Sequence, residues 1–261
     1  MIDDHRLAAT ERDELRRWYW CNVFLERYSS AVESKSRQDY QEMTRHWFKD
    51  GAEPEVFSDA QHWIGAPGFR VRTSASYASA VYSGLFCLLA SRGARDWRRG
   101  EDIRLQELQD HHIFPQAYLK RHGIEKRVDV NTIANRTLIS DETNNKIKDK
   151  APADYLNDPD IFPSGATPEL LEPHFIDATS TGLLAEARED LTNEQAADLY
   201  ERFLQARQAA MIEEIRRVCG TTLAPDSAGD EAEPDEAAAD VNEGTAPWIG
   251  DLLEARAFEP A

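Results

Sequence analysis

The segment that most constrains this chain runs from Leu105 to Tyr155 and places histidine and asparagine side chains at the ends of short predicted elements. Alternating apolar and polar residues before His111 and His112 predict a strand, and the proline three positions later ends it because proline lacks a backbone N–H. The β-prone residues after Asn135 predict a second strand. The Ser-Asp-Glu sequence that follows is typical of the start of a helix, and that helix carries Asn144. We therefore expect a strand, an irregular loop, a second strand and a helix.

The order and spacing of these residues resemble the HNH nucleases, which are also called ββα-metal or His-Me finger nucleases. The shared features are His-His-Ile-x-Pro, a later asparagine, and a helical residue nine positions further on, which is the spacing from Asn135 to Asn144. The wider phrases DHHIFP, VNTIANRTLIS and TNNKIKDKAP are similar in particular to the C-terminal nuclease domain of GmrSD-like restriction enzymes, where asparagine replaces the last histidine. The resemblance implies a mainly α protein, with a helical body and an inserted ββα-metal (HNH) finger.

Hydrolysis of a phosphodiester requires an activated water and neutralisation of the charge that develops in the transition state. The resemblance implies that His112 is the general base, a role that suits an imidazole near neutral pH. It also implies that Asn135 ties the loop that orients His112, and that His111 and the side-chain oxygen of Asn144 hold a metal ion. Adjacent residues of a regular strand point to opposite faces, so we expect a break at the strand end to aim His111 at the ion.

Oxygen ligands and a phosphate partner favour Mg²⁺ or Mn²⁺ as the cofactor. The family often has an acidic residue where His111 stands, and this difference leaves Zn²⁺ and Ni²⁺ open as alternatives. Asp110 is a candidate partner that fixes the tautomer of His111. Four basic residues are candidates for contacts with the phosphate backbone, although a solvated helix face explains the lysines about equally well: Arg136, Lys146, Lys148 and Lys150.

The flanking sequence is predominantly helical by its spacing of apolar residues. The sequence predicts a helix that begins with a capping box of Thr192 and Gln195 and ends at Gly220. The arginines around Trp97 form a basic turn that either contacts phosphates and stacks a base or is a polar loop. We expect four regions: a helical part (1–100), the nuclease motif (101–157), C-terminal helices that pack on the N-terminal part (158–220), and an acidic, disordered tail with a short terminal helix (221–261).

The charge of the chain is −18, which is unusual for a protein that binds DNA. From residue 221 onward there are eleven acidic residues and one arginine, so more than half of the excess lies in the predicted tail. Residues 91–150 contain thirteen Lys or Arg and ten Asp or Glu, which leaves the motif slightly basic. The sequence has no apolar run of membrane-spanning length, no recognisable signal peptide and three scattered cysteines, and we expect a cytoplasmic protein with no membrane partner.

The leading hypothesis is a metal-dependent DNA endonuclease of restriction or anti-phage defence. RNA is an alternative substrate, because the motif is expected to recognise the phosphodiester group and not the sugar. GmrSD-like enzymes join this nuclease to a nucleotide-hydrolysing domain, and the sequence contains no phosphate-binding loop of that kind. The resemblance therefore implies an NTPase or recognition subunit or domain as a partner. The alternatives are a non-catalytic nucleic-acid-binding or regulatory subunit that retains the fold, and a nuclease toxin.

Overall fold

The computed structural model describes residues 8–49, 51–71, 79–100 and 108–224, and only the backbone of residues 108, 109, 127 and 128. These residues are mainly helical and include a single pair of strands. The helices are α1 (Ala9–Phe24), α2 (Val32–Lys49), α3 (Glu55–Trp63), α4 (Ala80–Ser91), α5 (Gln116–Arg121), α6 (Arg127–Val130), α7 (Asp141–Ile147), α8 (Pro152–Leu156), α9 (Pro168–Leu171), α10 (Ala178–Glu186) and α11 (Asn193–Cys219). The strands are β1 (Leu108–His112) and β2 (Arg136–Ser140). No helix in the described ranges combines the length and apolar composition that crossing a bilayer requires.

The chain forms two compact units, and α4 and α11 contribute residues to both. Of the described residues, unit 1 contains 8–71 (except 50), 79–84 and 211–224, and unit 2 contains 85–100 and 108–210. The sequence predicts that residues 158–220 pack on the N-terminal part. In the structure only 211–220 of this range belong to the unit that contains α1, whereas 158–210 belong to the unit that contains both strands. The predicted nuclease motif begins at residue 101, and its first seven residues lie outside the described ones, as do residues 225–261 of the predicted tail.

In unit 1, long polar side chains bind the free carbonyl groups where helices end. Arg17 of α1 donates to the carbonyl oxygen of Cys219 at 2.9 Å, and its guanidinium lies 4.0 Å from the centre of the Phe57 ring. Gln61 of α3 exchanges two hydrogen bonds with the backbone of Thr222, at 2.9 and 3.0 Å. The last carbonyls of a helix lack partners within the helix, so such contacts satisfy them and fix the chain that follows.

In unit 2, β1 and β2 are antiparallel and α7 follows β2 without a break. The register pairs His112 with Arg136 and His111 with Thr137. Ser140 caps α7 by accepting a hydrogen bond from the backbone of Thr143 at 3.2 Å. Over the predicted motif the described order is β1, α5, α6, β2 and α7, so the stretch predicted as an irregular loop contains two short helices.

Asp96 gives α7 a second cap from outside the motif. One of its carboxylate oxygens accepts from the backbone N–H of Ser140 at 2.8 Å, and the other accepts from the hydroxyl of Thr143 at 2.8 Å. These bonds lower the pKa of Asp96 although burial opposes the shift. A buried carboxylate at the N-terminus of a helix stabilises the exposed N–H groups there, so Asp96 fixes where α7 begins.

The core of unit 2 joins the strands and α7 to the C-terminal helices. Its buried side chains include Ile113, Phe114, Ile139 and Ile147 from the motif and Leu199, Tyr200, Phe203 and Leu204 from α11. Trp97 is 1% exposed and lies parallel to the rings of Tyr155 and Phe162. The proposal that Trp97 stacks on a nucleic-acid base is therefore wrong, because core side chains already cover the indole. Its neighbours Arg98 and Arg99 bind Glu142 at 2.6 and 3.1 Å.

Candidate functional site at the end of the two-stranded sheet

His111 lies on β1 with 5% of its surface exposed. The side chain of Asn144 on α7 lies close enough to its ring to act on its pKa, and the ring of Trp97 lies at right angles to it at 6.4 Å. Burial is the main cause that lowers the pKa of His111 to about 4, the Asn144 side chain opposes the shift, and the charge of Arg136 lowers the pKa further. The imidazole is therefore neutral at pH 7. The structure brings together the two predicted metal ligands, His111 and Asn144.

His112 is half-buried at the end of β1 and has different partners. Its Nε2 atom lies 3.0 Å from the side-chain oxygen of Asn131 and 3.2 Å from the amide nitrogen of Gln116. Burial and the charge of Arg136 lower the pKa of His112 to about 3, and the bond to Asn131 opposes the shift. The break expected at the strand end does not separate the two histidines in the described backbone, since β1 runs through both of them and pairs with β2 at each. Their separate partner sets follow from the alternation of side chains along a strand.

Asn135 is fully buried directly before β2. Its side-chain oxygen accepts from the backbone N–H of Phe114 at 2.8 Å, and its amide donates to the carbonyls of Phe114 and Val130 at 3.2 and 3.1 Å. Its own carbonyl accepts from the backbone N–H of Ile113 at 2.8 Å. Asn135 thus fastens the two residues after His112 to the start of β2, which is the loop-tying position predicted for it.

Asp110 and Arg136 form an ion pair of 3.2 Å in which both side chains are largely buried. Arg136 also donates to the side-chain oxygen of Asn131 at 2.7 Å. The register places Arg136 opposite His112, so the pair adjoins the proposed base. The sequence assigns Asp110 to the tautomer of His111 and Arg136 to phosphate, and the structure adds this contact between them.

The three lysines predicted to follow a phosphate backbone lie on or just after α7. Lys150 binds Asp158 at 2.6 Å, and Lys146 lies 3.9 Å from Asp160. Lys148 is exposed at the C-terminal end of α7. All three keep a substantial part of their surface in solvent, which either of the predicted roles permits.

The residues around His111 fit a divalent cation in their chemistry. Nε2 of His111 is buried and has no hydrogen-bond partner among the described residues, which is unusual because buried polar atoms are almost always paired. A neutral imidazole nitrogen and a carboxamide oxygen are both donors that transition-metal ions accept. The described ranges contain no group of three or more His, Cys, Asp or Glu side chains arranged around one point; the candidate set depends on a carboxamide.

Several polar residues of unit 2 were not found by sequence reasoning. Asn131 and Gln116 contact His112, and Asp96 caps the helix that carries Asn144. His174 is fully buried, where it accepts from the hydroxyl of Thr137 at 2.7 Å and donates to the carbonyl of Arg95 at 2.8 Å. No periodicity or motif distinguishes these residues, because each acquires its role from partners that the fold brings close.

Burial of the His174 ring makes the free energy of unfolding depend on pH. Desolvation lowers its pKa to about 4, whereas the unfolded chain has an ordinary value of about 6.5. At pH values between these two pKa values, the unfolded state binds more protons than the folded state. The contribution of His174 to the free energy of unfolding is therefore complete above about pH 6.5 and is lost as the pH falls towards 4. We expect the destabilisation by His174→Gln to be about 2 kcal/mol smaller near pH 4.5 than near pH 7.5.

Urea unfolding of both proteins at the two pH values measures this difference. The exposed His62, replaced by glutamine, provides the matched control and should show the same small effect at both pH values. A destabilisation by His174→Gln that does not change with pH would contradict the neutral, buried state of this ring.

Comparisons with known proteins do not identify a family for this chain. It is 28% identical over 215 residues to an uncharacterized protein of Methanocaldococcus jannaschii, an alignment that covers 78% of this chain and 37% of the archaeal protein. The chain thus spans little more than a third of the length of that relative. No family model matches the sequence, and no solved structure matches it.

Proposed function

We propose that this chain is a metal-dependent endonuclease of the HNH type that hydrolyses phosphodiester bonds in DNA and acts in restriction or anti-phage defence. The observation that carries the proposal is the antiparallel pair of β1 and β2 followed by α7, which brings the side chain of Asn144 close to His111 while His112 ends the same strand. The order and spacing of His111, His112, Asn135 and Asn144 in the sequence support the same assignment.

In this proposal, His111 and the side-chain oxygen of Asn144 would hold the ion, which would be Mg²⁺ or Mn²⁺. A divalent ion bound there supplies Lewis-acid stabilisation of the charge on the phosphate and on the leaving oxygen. The neutral state of His111 suits a ligand, since a protonated imidazole has no free lone pair. Burial beside Trp97 holds the ring in one orientation.

His112 accepts a proton from the attacking water. A base with a pKa of about 3 is weak, because a general base is most effective when its pKa lies near the working pH. The phosphate of a bound nucleic acid would raise this pKa by favouring the charged imidazole. Asn135 contributes indirectly, since it holds the two residues that follow His112.

Incubation of supercoiled plasmid with the full chain tests the proposal. With Mg²⁺ or Mn²⁺ we expect nicked or linear DNA, and EDTA should abolish the cleavage. A single-stranded RNA of similar length, assayed in parallel, determines whether the sugar matters. Absence of cleavage of both substrates with either metal, by a protein that binds the metal, would favour a non-catalytic binding subunit.

Replacement of Asn144 tests the proposed metal site directly. We expect Asn144→Ala to weaken Mn²⁺ binding by roughly 10-fold or more, because a ligand oxygen is lost, whereas Asn144→Asp should retain more affinity because it keeps an oxygen at that position. Calorimetric titration measures both. Its exposed neighbour Asn145, replaced by alanine, is the control and should bind as the wild type does. Equal affinities for the wild type and Asn144→Ala would remove Asn144 from the ligand set.

A further inference from the structure

The side-chain oxygen of Asn131 receives three contacts at the edge of the proposed site. It lies 2.7 Å from a terminal nitrogen of Arg136, 3.0 Å from Nε2 of His112 and 3.3 Å from the amide nitrogen of Gln116. Sequence reasoning assigned no role to Asn131. Because these three nitrogen atoms face one oxygen atom, the contacts determine which ring nitrogen of His112 carries a hydrogen.

The contact with Arg136 determines which end of the Asn131 amide faces His112. A guanidinium group has only donors, so the atom at 2.7 Å from Arg136 must be the oxygen of the amide. A carboxamide oxygen only accepts, so Nε2 of His112, at 3.0 Å from the same oxygen, must carry the hydrogen. In a neutral imidazole the other nitrogen then has the lone pair, and this is Nδ1.

Gln116 also approaches Nε2 of His112, at 3.2 Å, and as placed it presents an N–H group to it. Two facing N–H groups repel each other. Gln116 is exposed and its amide nitrogen also lies 3.3 Å from the Asn131 oxygen, so a small rotation directs its N–H groups to that oxygen and to solvent instead of to Nε2. Asn131 cannot turn in the same way, because the buried Arg136 holds its oxygen. The tautomer of His112 therefore follows Asn131 and not Gln116.

The network behind Asn131 is firmly anchored. Arg136 is 7% exposed and is fixed by its ion pair with Asp110. The backbone just before Asn131 is held as well, because Asn135 donates to the carbonyl of Val130 at 3.1 Å. A polar group with this support keeps its orientation, as partners of catalytic histidines must.

We propose that Asn131 is a positioning residue that holds His112 as the Nε2–H tautomer, so that His112 presents Nδ1 as its basic atom. The tautomer is a property of the free protein. The statement that Nδ1 receives the proton of water rests on the proposed nuclease function.

The tautomer is measured by long-range ¹H–¹⁵N correlation on the full chain with ¹⁵N-labelled histidine near pH 7.5. The His112 signals are identified by their loss in His112→Gln. We expect a protonated Nε2 and an unprotonated Nδ1 in the wild type, in Gln116→Ala and in Asn131→Asp, which keeps the acceptor. In Asn131→Leu we expect signals averaged between the two tautomers. A wild-type protein with its proton on Nδ1 overturns the proposal whether or not Asn131→Leu folds.

Kinetics separate this proposal from the proposed function. Asn131→Leu should lower kcat for plasmid cleavage by roughly 10- to 100-fold with little change in KM, and Asn131→Asp should recover much of the loss. The expected tautomer in a protein without nuclease activity would support the positioning role of Asn131 and refute the function. Unchanged tautomer and unchanged kcat in a folded Asn131→Leu would refute the positioning role alone.

Discussion

Replacement of His112 by alanine is expected to lower the rate of phosphodiester cleavage by roughly 100- to 10,000-fold, the usual contribution of a general base. The structure allows this change to be made without disturbing the proposed metal ligands. His112 contacts Asn131 and Gln116, whereas His111 contacts Asn144 and Trp97. We therefore expect His112→Ala to bind Mn²⁺ with nearly the affinity of the wild type.

Initial rates of plasmid nicking measure the effect, and titration with Mn²⁺ on the same preparation confirms that the ligands are intact. His62→Ala, at an exposed histidine of unit 1, controls for the loss of an imidazole and should cleave at the wild-type rate. Added imidazole should restore part of the rate to His112→Ala, because the small molecule can occupy the vacated space. Cleavage that persists undiminished in His112→Ala would remove His112 from the role of base.

Features set by neighbouring residues could be predicted from the sequence. The predicted capping box of Thr192 and Gln195 is present, with hydrogen bonds of 3.0 and 3.2 Å. Gly220 follows the end of α11 with a positive φ of 61°, a conformation that glycine adopts without strain. The mainly helical content is confirmed as well. These signals are local, because a cap or a helix end depends on residues within one turn.

Features that depend on distant partners could not be predicted. Trp97 stands among arginines in the sequence, and only the positions of Tyr155 and Phe162 make it a core residue. The contact of Asp110 with Arg136 needs the strand register, which pairs residues that are distant in the chain, such as Asp110 with Leu138. The sequence identifies the chemical groups of the candidate site, but the network that orients His112 arises from tertiary structure.

Arg207 is a further residue whose role depends on tertiary contacts, and its replacement by methionine should strongly destabilise unit 2. The side chain is fully buried on α11. Its guanidinium donates to the carbonyls of Ile133 at 3.2 Å, Ala134 at 2.7 Å and His174 at 3.0 Å. Methionine fills a similar volume but has no donor, so the carbonyls of Ala134 and His174 would lose this partner, whereas that of Ile133 keeps the backbone N–H of Arg136. At about 1–3 kcal/mol for each unsatisfied group, the free energy of unfolding should fall by roughly 2 kcal/mol or more.

The same helix offers a matched control in Arg202, whose side chain is 54% exposed and pairs with Asp198 one turn away, at 3.5 Å. Arg202→Met should change the stability by less than about 0.5 kcal/mol, as expected for a surface ion pair. Urea unfolding followed by fluorescence compares the two variants.

Because Ile133 and Ala134 immediately precede Asn135, Arg207→Met should also loosen the loop that Asn135 ties. Hydrogen exchange at the backbone of Phe114, which donates to Asn135, should then accelerate in Arg207→Met and not in Arg202→Met. Equal stability and equal exchange in the two variants would show that the carbonyls of this turn do not depend on Arg207.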